Sequence, residues 1–543
     1  MKIKKITIQN FKCLGPDSIV LDFSDDILVL IGENNVGKSS VLKALTIYFS
    51  GTKTMPVEYF FNKQTDQSHA VTIVIEFHNL SDGDKQHQAV SPYISTQDDQ
   101  ELWILRKSYY YAEDGKGKCD YVAIVNGEEK KNPSGLPQNC DDLFTDEKMQ
   151  KIYVEAVKNV SDVAEGAAKT VFGQLFNLIL RSDLEAAPQF TELLGAFERY
   201  GALFRGESQL PKIKEIEGKI TEKLSRIIPA KSIIDADVPK IEKLMPSPNL
   251  YSNDGREIDI IPEEQGHGFQ RALIVALLEL FAETKSPIGK EVGPCNILLI
   301  EEPEIYMHPQ MIRKIGDTLY SIAEQGKAQV ILTTHSPFLI RIADKQKALI
   351  RFVRTPDNQL KIFQQNEEIF ADGNPQEVKE RLQMIMRFDP AVNELFFAKR
   401  VVLLEGDSES VAIKEAGELL GFMSQAENIH KKEDATLINC RSRDFIPLFQ
   451  KVLNHFQIDY VVIHDTENQD LGTGVNGKIL SLLNNQENRR KTFAPDIETH
   501  LGITLSGRDC KPVKAVEKIK ELNQSSQLES KLGDFIKFAY GIT

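Results

Sequence analysis

Four acidic residues in the last third of the chain have the types and spacing to bind metal ions. Glu405 follows an apolar run that reads as a strand, and Glu409 lies one helical turn later. Asp465 and Glu467 follow a second apolar strand in the same way. Because parallel strands open at one carboxyl edge, we expect the four carboxylates to converge there. Such oxygen ligands suit Mg²⁺ or Mn²⁺, which can activate water and stabilise the leaving oxygen of a phosphodiester. The alternative is that they are surface acids without a metal.

A phosphate-binding pattern lies near the start of the chain. Residues 32–39 fit GxxxxGK[ST] between the apolar strand Ile27–Ile31 and a helix predicted at Ser39–Phe49. Lys38 is expected to reach the β- and γ-phosphates, and the Ser39 hydroxyl is expected to bind Mg²⁺. Backbone N–H groups and the helix N-terminus add positive potential. The pattern therefore predicts an ATP site at Asn34, Asn35, Gly37, Lys38, Ser39 and Ser40.

Two further strands carry side chains suited to the same site. The strand 296–300 ends in Glu301 and Glu302, and two carboxylates at a buried strand tip are costly unless a cation neutralises them. We predict that Glu301 binds Mg²⁺ and that Glu302 polarises the attacking water. The strand 328–334 delivers His335 to the same edge, where it can sense the γ-phosphate. The alternatives are two surface acids and a structural histidine.

Two glycines precede an apolar helix predicted at Ala272–Phe281. Gly266 and Gly268 would leave an anion-binding helix N-terminus, and we expect both to contact ATP. A simple loop and helix cap is the alternative. In its place between the first and second nucleotide motifs, however, this segment resembles the signature segment of ABC ATPases.

The order of these motifs resembles the ABC ATPase heads of the SMC and recombination-mediator class. Phe11 and Lys12, in an expected first strand Ile6–Leu14, match that class as well. In such heads the signature segment of one subunit covers the nucleotide of another, which implies a homodimer or homotetramer. No long heptad pattern interrupts the chain, so it does not resemble a true SMC protein.

The C-terminal acids resemble the Toprim domain of topoisomerases, primases and OLD (overcoming lysogenization defect) nucleases. An ABC head followed by Toprim is the architecture of the OLD family. This chain departs from the pattern at Glu467, where relatives carry Asp, and at 439–442, where relatives usually carry glycine. The resemblance implies that Glu498 supports the metals and that Lys511 stabilises the pentavalent phosphate, with Lys514 as a competitor.

These motifs require an α/β fold in which helices cover parallel sheets. We predict an ABC-type ATPase head at 1–165 and 250–390, with 350–395 as a connecting region. We place a helical insertion, which dimerises in relatives, at 166–249, because 150–250 shows apolar residues at helical spacing. A Rossmann-like Toprim domain is predicted at 395–543.

Composition limits the possible partners and location. The chain of 543 residues has 65 Lys and Arg against 79 Asp and Glu, a net charge of −14, which argues against a nonspecific DNA coat. Residues 395–543 carry 19 basic and 21 acidic residues, so a local DNA-facing patch is compatible with the charge. Six scattered cysteines and the lack of a signal peptide or apolar span predict a cytoplasmic protein away from membranes.

The combined expectation is an ATP-hydrolysing, metal-dependent DNA endonuclease of the OLD type. The family resemblance implies a role in antiphage defence, alone, with a helicase-like partner, or with the reverse transcriptase of a retron. One alternative is an ATPase switch with a degenerate Toprim site. Another is a repair protein that clamps DNA.

Overall fold

The structure is a computed structural model of the whole chain. It describes residues 1–111, 118–130, 141–144, 149–155, 186–204, 208–225, 233–234, 266–283, 295–365, 380, 383–384, 390–422, 435–506 and 510–542. The chain divides into two compact units. The first contains Met1–Ala156 and Pro294–Thr543, and the second contains Val157–Gly293.

The strands and helices alternate along most of the chain. The described strands are β1 (Lys2–Gln9), β2 (Ile19–Asp22), β3 (Ile27–Gly32), β4 (Val71–His78), β5 (Ile94–Gln97), β6 (Gln100–Tyr110), β7 (Lys118–Val125), β8 (Glu128–Lys130), β9 (Met149–Val154), β10 (Cys295–Glu301), β11 (Gln329–Thr333), β12 (Leu349–Arg354), β13 (Leu360–Gln364), β14 (Arg400–Leu404), β15 (Ala435–Asn439), β16 (Tyr460–Asp465) and β17 (Arg490–Phe493). The described α-helices are α1 (Lys38–Tyr48), α2 (Asp82–Gln86), α3 (Pro188–Gly201), α4 (Pro211–Ser225), α5 (His267–Glu283), α6 (Pro309–Glu324), α7 (Asp407–Leu419), α8 (Ile446–His455), α9 (Gly474–Leu482), α10 (Ile497–Leu501), α11 (Lys511–Gln524) and α12 (Leu528–Ala539). None of these helices is both long and apolar enough to cross a membrane.

The N-terminal part of the first unit contains two sheets around one core. An antiparallel sheet has the order β2-β1-β4-β6-β7-β8, with β5 paired to β6. A second sheet has the order β13-β12-β3-β11-β10-β9, and its strands are parallel except β13. Every residue of β3 is buried, as expected for a central parallel strand covered on both faces. This arrangement brings the carboxyl ends of β3, β10 and β11 to one edge.

The C-terminal part of the first unit contains a separate parallel sheet. Its strand order is β15-β14-β16-β17, and every residue of β16 is buried. Apolar side chains of α7, α11 and α12 pack on this sheet and form its hydrophobic core. Because β14 and β16 are adjacent and parallel, the residues that follow them must lie close together.

The second unit contains α3, α4 and α5 among its described residues. The first two are amphipathic helices with apolar side chains that remain exposed, including Leu193 and Tyr200 on α3 and Ile216 and Ile220 on α4. Helix α5 begins at His267, five residues before the predicted start at Ala272, so Gly268 lies in its first turn. The predicted helical residues at 156–185 and most of those at 226–250 lie outside the described residues, as does Gln265.

Three sequence-based expectations about where strands lie differ from the structure. The first strand ends at Gln9 rather than Leu14, because Asn10 and Lys12 adopt left-handed backbone angles that cannot continue a strand. Phe11 and Lys12 therefore lie in a turn after the strand. Residues 149–154 form the edge strand β9 rather than a helix, and the expected connecting region contains β12 and β13.

Candidate functional site

The phosphate-binding loop runs between β3 and α1. Gly37 has a φ of 119°, and a Cβ there would stand 2.8 Å from the Leu14 Cδ2 atom, so the position requires glycine. No side chain caps the N-terminus of α1, which leaves its first N–H groups for an anion. The Lys38 ammonium donates hydrogen bonds to the carbonyl oxygens of Gly32 and Glu33, both at 2.8 Å.

Lys38 connects the loop to the residues at the ends of the neighbouring strands. Its Nζ lies 3.0 Å from Nε2 of His335, which in turn lies 3.7 Å from a carboxylate oxygen of Glu302. Burial lowers the pKa of Lys38 to about 8, against the opposing effect of Glu302 and the other nearby acids. Burial and the Lys38 charge also lower the pKa of His335, so a neutral imidazole accepts a hydrogen bond from the lysine.

The acids after β10 each have a partner on a neighbouring element. The Tyr153 hydroxyl on β9 donates to Oε2 of Glu301 at 3.0 Å. Glu304 accepts a hydrogen bond from the Thr334 hydroxyl at 2.8 Å, and burial raises its pKa. Glu302 has a φ of 42° and donates its N–H to the Thr333 carbonyl at 3.0 Å. The backbone therefore turns sharply where the predicted water-polarising residue stands.

The loop residues fit a nucleotide phosphate chain. Asn34, Asn35 and Ser39 are exposed, whereas Ser40 is buried, with its hydroxyl 3.3 Å from the Cys13 sulfur. A buried lysine, an uncapped helix N-terminus and opposing acids are the groups that a nucleotide with a divalent cation would need. Gly266 and Gly268 lie at the start of α5 in the second unit.

The C-terminal acids meet where β14 and β16 end. The backbone N–H of Asp465 donates to Oε2 of Glu405 at 2.9 Å, which joins the two strand ends directly. Glu409 lies in the first turn of α7, where one of its carboxylate oxygens accepts the Gly406 N–H at 2.9 Å. Glu409 and Asp465 are only 4% and 8% exposed, so two carboxyl groups are buried side by side.

This burial changes the protonation of the cluster. Burial, together with the neighbouring Glu409 and Glu405, raises the pKa of Asp465 to about 9. Burial raises the pKa of Glu405 to about 7, again with help from nearby acids, and the pKa of Glu409 is also raised. Without a cation the site therefore keeps protons on groups that are ordinarily ionised.

The cluster fits a divalent cation by its chemistry, although its side chains are not yet arranged around one point. Asp465 Oδ1 is buried and has no hydrogen-bond partner among the described residues. In the same part of the chain, no three acidic, histidine or cysteine side chains already stand in metal-ligating positions. An incoming cation would replace the protons and draw the carboxylates together.

Other residues predicted from the sequence lie around the cluster of Glu405, Glu409 and Asp465. Glu467 is half-exposed and forms an ion pair with Arg443 at 2.9 Å. Glu498 is 6% exposed, and its Oε1 accepts the Ser408 hydroxyl at 3.1 Å and lies 3.5 Å from the Lys511 Nζ. Lys514 pairs instead with Glu517 on its own helix. Lys511 thus contacts an acid of the cluster.

Two families match successive parts of the chain. The AAA ATPase domain family matches residues 1–340, and the Toprim domain of proteins like the overcoming lysogenization defect protein matches residues 396–466. The first match covers more than half of the 543 residues. The chain belongs to this ATPase family, and its C-terminal part matches the OLD-like Toprim domain. The OLD architecture expected from the motif order is thereby confirmed, together with nucleotide and divalent-metal use.

Several OLD-family relatives match over long stretches. The Old nuclease of Escherichia phage P2 is 24% identical over 429 residues, which cover 76% of this chain and 68% of the relative. The OLD nuclease of Thermus scotoductus is 24% identical over 554 residues, covering 96% and 95%. Endonuclease GajA of Bacillus cereus strain VD045 is 24% identical over 432 residues, covering 76% and 67%. Together with the two domains, these matches support an ATPase and a nuclease in one chain.

Three residues of this OLD-family protein were not identified from its sequence. Tyr153 lies 148 residues before its partner Glu301, on an edge strand that has no motif. Arg443 reaches Glu467 from the loop after β15, and only its place after a strand of the same sheet is a signal. Glu304 lies two residues after Glu302, so its proximity to the strand end was visible in the sequence, but its hydrogen bonds to 334–335 were not.

Proposed function

We propose that this OLD-family protein is an ATP-hydrolysing, divalent-metal-dependent DNA endonuclease that acts in antiphage defence. The observation that carries the proposal is the cluster of buried Glu409 and Asp465 with half-buried Glu405, which accepts the Asp465 backbone N–H at 2.9 Å across adjacent strand ends. Buried carboxyl groups with raised pKa values are costly, and a metal ion is the partner that relieves this cost. Mg²⁺ or Mn²⁺ bound there supplies the positive charge that activates water and stabilises a leaving oxygen.

The side chains around the pair have separate roles in the proposal. Glu405, Glu409, Asp465 and Glu467 hold the metal, and Glu498 anchors Lys511 beside them. The Lys511 side chain is 60% exposed, so its ammonium can approach a phosphate of the DNA backbone and stabilise the charge that develops there. Lys514, which pairs with Glu517 on its own helix, remains the second candidate for this role.

The nucleotide site is proposed to bind ATP. Lys38 and the N-terminus of α1 hold the phosphates, and Ser39 and Glu301 hold Mg²⁺. Glu302 orients the attacking water, while His335 lies between it and Lys38 and senses the γ-phosphate. Gly266 and Gly268 are proposed to contact the nucleotide of another subunit, which requires a homodimer or homotetramer. The exposed apolar side chains on α3 and α4 support an assembly through the insertion.

Nucleotide turnover is proposed to gate cleavage, because the two domains share a junction within the first unit. The Arg351 guanidinium on β12 donates to the carbonyl oxygens of Phe456 and Gln457 at the end of α8, at 2.7 and 3.1 Å. Burial lowers the pKa of Arg351 to about 10, while the negative charge of Glu33 in the phosphate loop acts to raise it. Arg351 thus lies between the phosphate loop and the Toprim domain.

A second contact at the junction involves His335. Its ring lies 6.1 Å from that of Phe397, three residues before β14. Phe396, which precedes Phe397, packs edge-on against Phe456, with ring centres 5.4 Å apart. Asn393 lies with Phe396 in the short helical segment Pro390–Phe396. Its side-chain amide donates to the carbonyl oxygens of Pro337 and Ile340. If His335 moves when the γ-phosphate binds or leaves, we expect Phe397 and the start of the Toprim sheet to move with it.

The test of the nuclease proposal is cleavage of supercoiled plasmid with Mg²⁺ or Mn²⁺, with and without ATP. Asp465→Ala should abolish metal-dependent nicking or linearisation. Asp459→Ala is the matched control, because Asp459 precedes the same strand at its opposite end. Wild-type protein that never cuts, or an Asp465→Ala variant that cuts normally, contradicts the proposal.

The test of gating is Glu302→Gln, which should slow ATP hydrolysis and hold the nuclease in its ATP-bound state. The same plasmid assay is run over a range of ATP concentrations beside a phosphate-release assay. If hydrolysis falls but both the amount of cleavage and its ATP dependence stay unchanged, gating is wrong.

One observation favours a second candidate function, an ATPase switch whose Toprim site does not cut. Glu467 already has a cationic partner in Arg443, so the second metal position differs from the usual arrangement. Purified protein that hydrolyses ATP but never cleaves, with either metal and with a helicase-like or retron reverse transcriptase partner, would favour it. The DNA-clamping alternative would require a salt-dependent preference for DNA ends.

A further inference from the structure

Arg443 is a buried cation at the base of the acidic cluster. It opens a short helical turn after β15 and is 7% exposed. Its guanidinium donates to the Thr466 carbonyl at 3.3 Å, to Oδ1 of Asn476 at 3.5 Å and to Oε2 of Glu467 at 2.9 Å. The arginine therefore contacts the backbone and the side chain of the loop that follows Asp465.

That loop has an unfavourable backbone conformation that its surroundings maintain. Glu467 and Asn468 have φ values of 50° and 57°, a region that non-glycine residues seldom occupy. The Glu467 N–H donates to the Pro495 carbonyl at 2.8 Å, and the buried Asn476 amide donates to the Thr466 carbonyl at 3.4 Å. Strained residues of this kind persist where the surrounding contacts determine them, often at functional sites.

We infer that Arg443 is a positioning residue of the nuclease centre, which orients Glu467 so that it can bind a metal ion. The inference rests on the proposed function. The ion pair uses Oε2 of Glu467 and leaves Oε1 for a cation. Residues that hydrogen-bond to metal ligands in this way set the direction of the ligand and strengthen metal binding.

A competing role for Arg443 would have the opposite sign. An arginine that merely occupies Glu467 in place of a metal would weaken metal binding, and its removal would strengthen it. The contacts favour positioning, because Arg443 is also held by Thr466 and Asn476 and does not depend on Glu467 for its location. A carboxylate has lone pairs enough for a guanidinium on one oxygen and a metal on the other.

The experiment measures Mn²⁺ binding to nucleotide-free, full-length protein by electron paramagnetic resonance. Four proteins are compared: wild type, Arg443→Met, Glu467→Ala and the double variant. Arg443→Met should weaken Mn²⁺ binding by about 10- to 100-fold. Because the arginine acts through Glu467, the double variant should bind no more weakly than Glu467→Ala alone.

Arg489→Met is the matched control. Arg489 pairs at 3.0 Å with Asp459, which directly precedes β16 at the end away from the cluster. The Arg489→Met variant should bind Mn²⁺ with the same affinity as the wild type. Melting temperature and ATP hydrolysis report whether each variant is folded, and Arg443→Lys, which keeps the charge, replaces Arg443→Met if that variant is unfolded. Partial recovery of Mn²⁺ affinity in Arg443→Lys is expected.

Three outcomes would overturn the inference. These are unchanged Mn²⁺ binding in a folded Arg443 variant, tighter binding, or an equal further loss when Arg443→Met is added to Glu467→Ala. Each can occur while the wild type cuts DNA and Glu405→Ala does not, so the proposed function would survive. If the wild-type protein neither binds Mn²⁺ nor cleaves DNA, the proposed function itself is contradicted.

Discussion

The nucleotide site and the Toprim site lie at the carboxyl edges of parallel sheets, yet they handle buried charge in opposite ways. The nucleotide site contains its own cation, Lys38, among acids, and burial lowers the pKa of this lysine to about 8. The Toprim site gathers acids, and burial raises the pKa of Asp465 to about 9. One site is prepared for an anion and the other for a cation. The same strand-end geometry therefore serves two ligands because the buried side chains differ in sign.

The largest expected effect comes from removing one central charge from each site. Glu405→Ala should lower metal-dependent cleavage by about 10²- to 10³-fold or more, because it removes the acid that joins the two strand ends. ATP binding should be retained, as measured with a fluorescent ATP analogue. Normal cleavage by this variant would show that the metal site lies elsewhere.

The reciprocal change is Lys38→Ala, which should lower ATP hydrolysis by a similar factor through loss of the phosphate-binding cation. Mn²⁺ binding by the nucleotide-free variant should equal that of the wild type. Loss of Mn²⁺ binding here would contradict the separation of the two sites.

A smaller effect is expected at the junction between the sites. Arg351→Ala should reduce the effect of ATP on cleavage by about 5-fold or more, while ATP hydrolysis is retained, because the contacts to Phe456 and Gln457 are lost. Plasmid cleavage over an ATP titration measures this. Arg354→Ala is the control, since this residue lies on the same strand and bonds to Asn358 within its own hairpin. Equal behaviour of the two variants would remove the role of Arg351.

The two sites should respond to pH with opposite signs. A metal must displace the proton from Asp465, so Mn²⁺ affinity should rise by up to about tenfold per pH unit between pH 7 and 9. ATP favours the charged form of Lys38, so ATP affinity should fall as the pH rises above about 8. Titrations of each ligand at pH 7, 8 and 9 test both slopes. Slopes of the same sign would break the comparison.

The smallest effect is expected from Tyr153→Phe. Burial and Glu301 raise the pKa of Tyr153, so the hydroxyl stays protonated and donates to the carboxylate. Removing one such bond costs about 1 kcal/mol, so the Mg²⁺ concentration needed for ATP hydrolysis should rise about fivefold. Tyr59→Phe is a control in the same part of the head, since the Tyr59 ring packs on Phe11. A change confined to melting temperature would mean that Tyr153 is structural.

Sequence patterns alone determined which segments carry the two chemistries. The phosphate loop is a local motif whose glycine and lysine positions follow from contacts within a few residues, as the Lys38 bonds to Gly32 and Glu33 show. The acids at 405 and 465 were predictable because buried strands are apolar and a charged residue marks where such a strand ends. The Glu405–Asp465 proximity then followed from the parallel pairing of two strands.

Only the tertiary structure decided which side chains meet those acids. Strand β1 ends before Leu14 because of the left-handed backbone angles at Asn10. Strand β12 joins the central sheet, although the sequence predicts a connecting region at 350–395. Tyr153 reaches Glu301, and Arg443 reaches Glu467, because the order of strands in a sheet places distant segments side by side. That order depends on packing over the whole core and not on local periodicity, so spacing along the chain could not reveal these partners.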